Sequence, residues 1–153
     1  MLFVCTNNIC RSPMAEGVLR TLARDAGMLP GLAISSAATH PNCVGQPVDA
    51  RARVAAERRG FVIPKRHARM ISARDFARHS WILAMDRYNL ESLEPLRPPG
   101  YAGHLGLLGA LDPAAPPREI DDPYFGALAG FDRAIDRIER YCALLLEVLS
   151  GRD

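Results

Sequence analysis

The feature that most narrows what this chain can fold into is an alternation. Four short apolar runs, Leu2–Val4, Leu32–Ser35, Trp81–Ala84 and Leu105–Leu108, are separated by stretches with helical periodicity or helix punctuation. Strands that alternate with helices build a parallel sheet covered on both faces, so an α/β three-layer sandwich on a four-stranded parallel sheet is expected. A helix is expected from Ser12 to about Ala26, with Pro13 suited to its first helical position, Gly27 to its stop, and Met14, Val18, Leu22 and Ala26 as its buried stripe. Asp49 is placed to cap a second helix that Gly60 ends, Ser72 with Asp75 makes a capping-box pattern for a third, and Asp86 caps a fourth. Phe131, Ile135, Ile138, Cys142, Leu145 and Leu149 recur at spacings of three and four and define a last, long helix. Before it, Asp112 to Gly126 carries four prolines and no helical period, which reads as one ordered surface loop of the kind that often carries function.

Bulk properties set outer limits. A length of 153 residues with 48% hydrophobic content fits a single domain over residues 1–153. Nineteen basic against seventeen acidic residues leave no overall field to recruit nucleic acid or an anionic membrane, so any anion site must be local. The apolar opening Met1–Cys5 is too short for a signal peptide and no run is long enough to span a bilayer. Four cysteines whose spacings give no zinc knuckle fit a reducing compartment, and a cytoplasmic monomer is expected.

The chemistry concentrates in Cys5, Thr6, Asn7, Asn8, Ile9, Cys10, Arg11 and Ser12. A cysteine six positions before an arginine is a weak signal by itself. Here the cysteine ends a buried strand, the arginine opens a helix, and the five residues between can curl so that their N–H groups point inward. Such a nest facing a helix N-terminus binds a phosphate dianion. Its inward donors and Arg11 favour the Cys5 thiolate, the form that attacks phosphorus. Arg11 brings a planar fork for two equatorial oxygens, which a lysine cannot supply. The Ser12 hydroxyl can donate to the sulfur when it leaves. Cys10, in the same tight loop, is a candidate partner for an oxidised Cys5.

The run LFVCTNNICRSPMAEGVLR closely resembles the signature of the low molecular weight protein tyrosine phosphatases. Further matches follow in order along most of the chain: Ser35 to Ala38, Gly45, Pro47, Asp49, Arg51, Ala68, Arg69, Asp75, Phe76, Met85, Asp86, Asn89, and DPYFG at Asp122 to Gly126. The resemblance implies strand order 2-1-3-4 with the phosphate loop after the first strand. It implies a cysteine-dependent hydrolase acting on tyrosine-phosphorylated proteins through a phosphocysteine, with phosphate or another oxyanion held in residues 6–12 and no metal or organic cofactor. It also implies Asp122 as general acid, Tyr124 as a wall for the substrate ring, and Asn8 and Ser36 as braces beneath the loop. Leaving-group chemistry asks for that acid independently, since a tyrosyl oxyanion departs poorly without a proton.

Three places depart from the family pattern. Asn7 stands where glycine is usual, and Asn is the least costly substitute if the backbone there is left-handed. Arg66, followed by His67, holds the place of a bracing histidine. Around Asn42 and Cys43 the usual bulky residue facing the substrate ring is missing, leaving His40, Pro41 and Asn42. Arsenate reduction would need extra cysteines after the third strand, and Trp81 to Tyr101 has none. Arginine phosphatase activity goes with threonine at the place of Ile9. A binding module without turnover would lack the nucleophile or the acid, and both are present.

Overall fold

The computed structural model describes residues 1–116 and 118–151. Its strands are β1 (Leu2–Cys5), β2 (Ser35–Ala38), β3 (Trp81–Ala84) and β4 (His104–Leu107), all parallel in the order β2-β1-β3-β4. The helices are α1 (Arg11–Asp25), α2 (Ala50–Glu57), α3 (Ala73–Arg78), α4 (Arg87–Leu93) and α5 (Leu128–Leu149). Alternation along β1 sorts the core into two layers. Phe3 and Cys5 face α1, α2 and α5, while Leu2 and Val4 face Phe76 of α3 and Leu93 of α4. Among the described residues no helix is long and apolar enough to cross a membrane.

The second strand lies three residues later than its apolar pattern indicates. Leu32 and Ile34 only lead into it, and the strand is Ser-Ser-Ala-Ala, paired Leu2 to Ser35 through Cys5 to Ala38. Backbone pairing with β1 decides here, because small side chains carry almost no hydrophobic signal. The stripe of α1 also rotates: Met14, Ala15, Val18, Leu19 and Ala23 are buried, Leu22 is half-buried, and Ala26 is exposed beyond the last turn. Asp49 accepts the Arg51 N–H at 2.8 Å and Asp86 the Asn89 N–H at 2.8 Å, as the caps require. In the third helix the Ser72 N–H donates to Asp75 Oδ2 at 2.9 Å.

Strand order reverses at β1, so a crevice opens beyond its carboxyl end, where open α/β sheets bind ligands. The exit of β1 is pinned on both sides. Thr39 and His40 donate to the carbonyls of Cys5 and Thr6 at 3.0 Å each, and Met85 donates to that of Val4 at 3.1 Å. The segment after β4 contains no regular helix or strand from Asp112 to Gly126 among its described residues, and Ile120 returns to the sheet by donating to the Met85 carbonyl at 2.9 Å. Gly109 allows this return, since a β-carbon there would collide with the Arg118 carbonyl.

Candidate active site

Cys5 closes β1 and is 3% exposed. Its sulfur meets the N–H of Asn8 at 3.3 Å, the N–H of Ser12 at 3.4 Å and the Ser12 hydroxyl at 3.0 Å. That hydroxyl belongs to a wider hydrogen-bonded set. The Asn8 amide donates both hydrogens, to Ser12 Oγ at 2.7 Å and Ser36 Oγ at 3.0 Å, and its oxygen accepts from the Arg69 N–H at 3.1 Å. Ser36 donates to Glu16 Oε2 at 2.8 Å, because a carboxylate only accepts. The Ser12 hydroxyl, already an acceptor from Asn8, has its own hydrogen left for the sulfur.

Asn8 is the one non-glycine residue with positive φ among those described, at 58°. The left-handed position is therefore Asn8, not Asn7. Asn7 lines the cavity over the loop, and its carboxamide oxygen is buried without a partner among the described residues. The brace beneath Asn8 ends in Glu16, 1% exposed and paired with Arg66 Nη2 at 2.6 Å and Arg20 Nε at 3.3 Å. Arg66 thus gives the brace a cation.

Arg11 is 1% exposed, and it is held rather than free. Its Nη1 donates to Asp86 Oδ2 at 2.6 Å and the Ile120 carbonyl at 2.8 Å, and Nη2 reaches Thr6 Oγ1 at 3.3 Å and Asp122 Oδ2 at 3.6 Å. Burial alone would lower its pKa, but the charges of Cys5 and Asp86 outweigh it and raise the value. With Nη1 spent, Nε and Nη2 are the edge available to an anion. Thr6 is steadied by Asn89: turned so that its NH2 meets Asp86 Oδ1 at 2.9 Å, the Asn89 amide oxygen accepts from the Thr6 N–H at 3.1 Å and hydroxyl at 3.0 Å.

The cavity above the loop is lined by residues 5 and 7–11 together with Asp122 and Tyr124. Thr6, Ser12 and Ser36 are not part of that lining. Ile9 and Cys10 are 5% and 3% exposed. Burial pushes the Cys10 thiol far up, and the charges of Asp49, Cys5 and Asp122 push it further. Asp122 also borders a second cleft, of about 270 Å³, whose lining includes Asp121. Asp122 alone of the two lines the cavity over Cys5. On the far side of Thr6, His40 and Tyr88 stack with centroids 5.0 Å apart and share a 2.9 Å hydrogen bond, an aromatic pair beside the segment where Asn42 and Cys43 supply none.

Sequence reasoning read Asp86 only as a cap, although it also grips Arg11, and it passed over Glu16. Ser12, Glu16 and Arg20, spaced by four on one face of α1, were the available signal.

A thiol ringed by donors at the carboxyl end of a central strand, with an arginine and a carboxyl converging on it, supports nucleophilic displacement at phosphorus, and the surrounding fold is that of an α/β phosphatase. Comparison with known proteins narrows the class. Residues 1–152 match the profile of the family described as low molecular weight phosphotyrosine protein phosphatase. The human low molecular weight phosphotyrosine protein phosphatase is 38% identical over 151 residues, covering 96% of this chain and 93% of that one. A crystal structure of a protein tyrosine phosphatase from Entamoeba histolytica, with Hepes in its active site, superposes with a TM-score of 0.90 at 31% identity over 99% and 97% of the two chains. DARP, a Drosophila arginine phosphatase, superposes at 0.89 with 33% identity over 99% and 98%. The chain belongs to the low molecular weight phosphotyrosine protein phosphatase family, and is a cysteine-dependent protein tyrosine phosphatase.

Proposed function

We propose that the chain, acting as one domain, hydrolyses phosphotyrosine in proteins by two displacements at Cys5. In the first, the Cys5 thiolate forms a bond to phosphorus as the tyrosyl oxygen leaves, taking its proton from Asp122. In the second, Asp122 takes a proton from water, the water oxygen bonds to phosphorus, and the thiolate departs toward the Ser12 hydroxyl. The Nε and Nη2 edge of Arg11 holds two equatorial oxygens through both steps. The N–H groups of the loop hold the phosphoryl group, with Asn7, Ile9 and Cys10 around it and Tyr124 against the ring. Thr6, Ser12, Asn8 and Ser36 keep this cradle in shape.

The observation that carries this reading is the convergence of two backbone N–H groups and one hydroxyl on Cys5 Sγ within 3.4 Å. Donors gathered at that sulfur suit a nucleophile that must attack phosphorus and later leave it. The cytoplasmic placement is supported by the four unpaired cysteines, since a reactive thiolate persists in a reducing compartment. Fold alone does not choose between phosphotyrosine and phosphoarginine. The aliphatic side chain of Ile9 favours the aryl ester, because it offers no acceptor to a guanidinium.

The test compares a phosphotyrosyl peptide with a phosphoarginyl peptide on the native enzyme and on Cys5→Ser. The native enzyme should release phosphate from the first far faster than from the second. Cys5→Ser should bind phosphate yet turn over neither. Preference for phosphoarginine would reassign the substrate, and turnover by Cys5→Ser would end the mechanism.

A further inference from the structure

We infer that Arg51 is a positioning residue for the general acid: it ties Tyr124, and through Tyr124 the Asp122 carboxyl, to the body of the protein above the phosphate cradle. The inference rests on the reading of Asp122 as the acid.

The Arg51 guanidinium is fixed before it touches the loop. Asp49 grips it at two points, Nε to Oδ1 at 3.1 Å and Nη2 to Oδ2 at 2.9 Å. Asp49 is itself tied to the cradle, since its N–H donates to the Ile9 carbonyl at 2.9 Å. The guanidinium plane therefore has a set position relative to Cys5. Its central carbon lies 4.7 Å from the ring centre of Phe131, which is 1% exposed, and 5.3 Å from that of Tyr124, which is 36% exposed. An arginine over two aromatic rings joins the exposed one to the buried one.

The acid loop has few other holds. Among the described residues, the hydrogen bonds made by 121–126 close within the loop: the Tyr124 N–H to Asp122 Oδ1 at 3.1 Å, and the Gly126 N–H to the Pro123 carbonyl at 3.0 Å. Pro123 is buried beside Gly130. The contact of Asp122 with Arg11, at 3.6 Å, is one that a phosphate on the Arg11 edge competes for. Once that contact is given up, Arg51 holds the Tyr124 ring and the Tyr124 N–H holds Asp122 Oδ1. Oδ2 is then left facing the cleft, where the proton is needed.

Substitution of Arg51 should therefore impair proton delivery more than binding. Arg51→Ala is expected to lower kcat/KM for a phosphotyrosyl peptide about tenfold, short of the roughly 10²–10⁴-fold of a lost acid, and for p-nitrophenyl phosphate by no more than about twofold. Arg51→Lys should recover only part, because an ammonium cannot remake the fork with Asp49. Tyr124→Leu, which also removes the wall for the substrate ring, should lower turnover of both substrates, and adding Arg51→Ala to it should bring no further loss on the phosphotyrosyl peptide. Equal losses on both substrates that track a fall in Tm, or additive losses in the double variant, would overturn the inference and reduce Arg51 to a helix-cap partner. Asp122→Asn is the reference. If it shows the leaving-group signature and Arg51→Ala does not, only this inference falls; if it lacks the signature, the assignment of the acid falls and this inference with it.

Discussion

Asn8 shows how much of a site one small residue can carry. It takes the left-handed turn of the loop, and its amide joins Ser12, Ser36 and the Arg69 backbone. The two jobs separate by substitution. Asn8→Gly keeps the backbone and loses the amide, whereas Asn8→Ala loses both. Both should lower kcat, and Ala should cost about 1–2 kcal/mol more in unfolding free energy than Gly. Equal stability of the two in urea titrations would mean the strain is not located there. For Arg11→Lys the expected loss is roughly 10²-fold or more in kcat, since one ammonium cannot serve Asp86, the Ile120 carbonyl and two phosphate oxygens together. Cys10 makes a prediction about pH. Burial raises its thiol, so alkylation near neutral pH should label Cys5 and spare Cys10. After mild peroxide, mass spectrometry should find a reducible Cys5–Cys10 disulfide that forms faster as pH rises. Irreversible loss of activity without that link would leave Cys10 a packing residue.

At the scale of elements, the acid loop and the third helix are the informative pieces. Asp121 and Asp122 are neighbours in sequence and differ in aim, because only Asp122 lines the cavity over Cys5. Asp122→Asn should slow phosphotyrosine hydrolysis by roughly 10²–10⁴-fold and p-nitrophenyl phosphate less, with Asp121→Asn mild on both. The reverse ranking in steady-state assays would move the acid by one residue. His79, which ends α3, is 8% exposed, and burial lowers its pKa to about 4. The Met1 amino group, 3.1 Å from Nδ1, pushes the same way, and Asp75, 3.9 Å from Nε2, opposes both. An unfolded histidine titrates near 6.5, so between about 6.5 and 4 the unfolded chain binds the extra proton. This contribution is whole above about 6.5 and is lost as pH falls toward 4, up to about 3 kcal/mol. Urea midpoints should show that slope, and His79→Gln should flatten it; an unchanged slope would place the proton elsewhere.

Over the whole molecule, what could be read in advance was local. Caps at Asp49 and Asp86, the period of α5 and the Cys5 to Ser12 loop depend on residues a few positions apart, and all are visible in a string of letters. The second strand was misplaced because Ser-Ser-Ala-Ala becomes a strand only beside β1. The bonds that complete the site were hidden for the same reason. Glu16 to Arg66, Arg11 to Asp86 and Ile120, and Arg51 to Tyr124 join positions that only the fold brings together. No periodicity encodes such pairs, so the loop and its Asn8 and Ser36 braces were legible and these longer ties were not.

The central claim is a covalent phosphate on Cys5, and it can be observed directly. Asp122→Asn, which should slow the water-dependent second displacement while a nitrophenol still leaves readily, is mixed with phosphorus-32-labelled p-nitrophenyl phosphate, quenched at times from milliseconds to minutes and mapped by mass spectrometry. The account predicts label that accumulates on the Cys5 peptide during turnover, and none in the Cys5→Ser, Asp122→Asn double variant. Label on any other residue, or peptide hydrolysis by Cys5→Ser at a measurable fraction of the native rate, would contradict it.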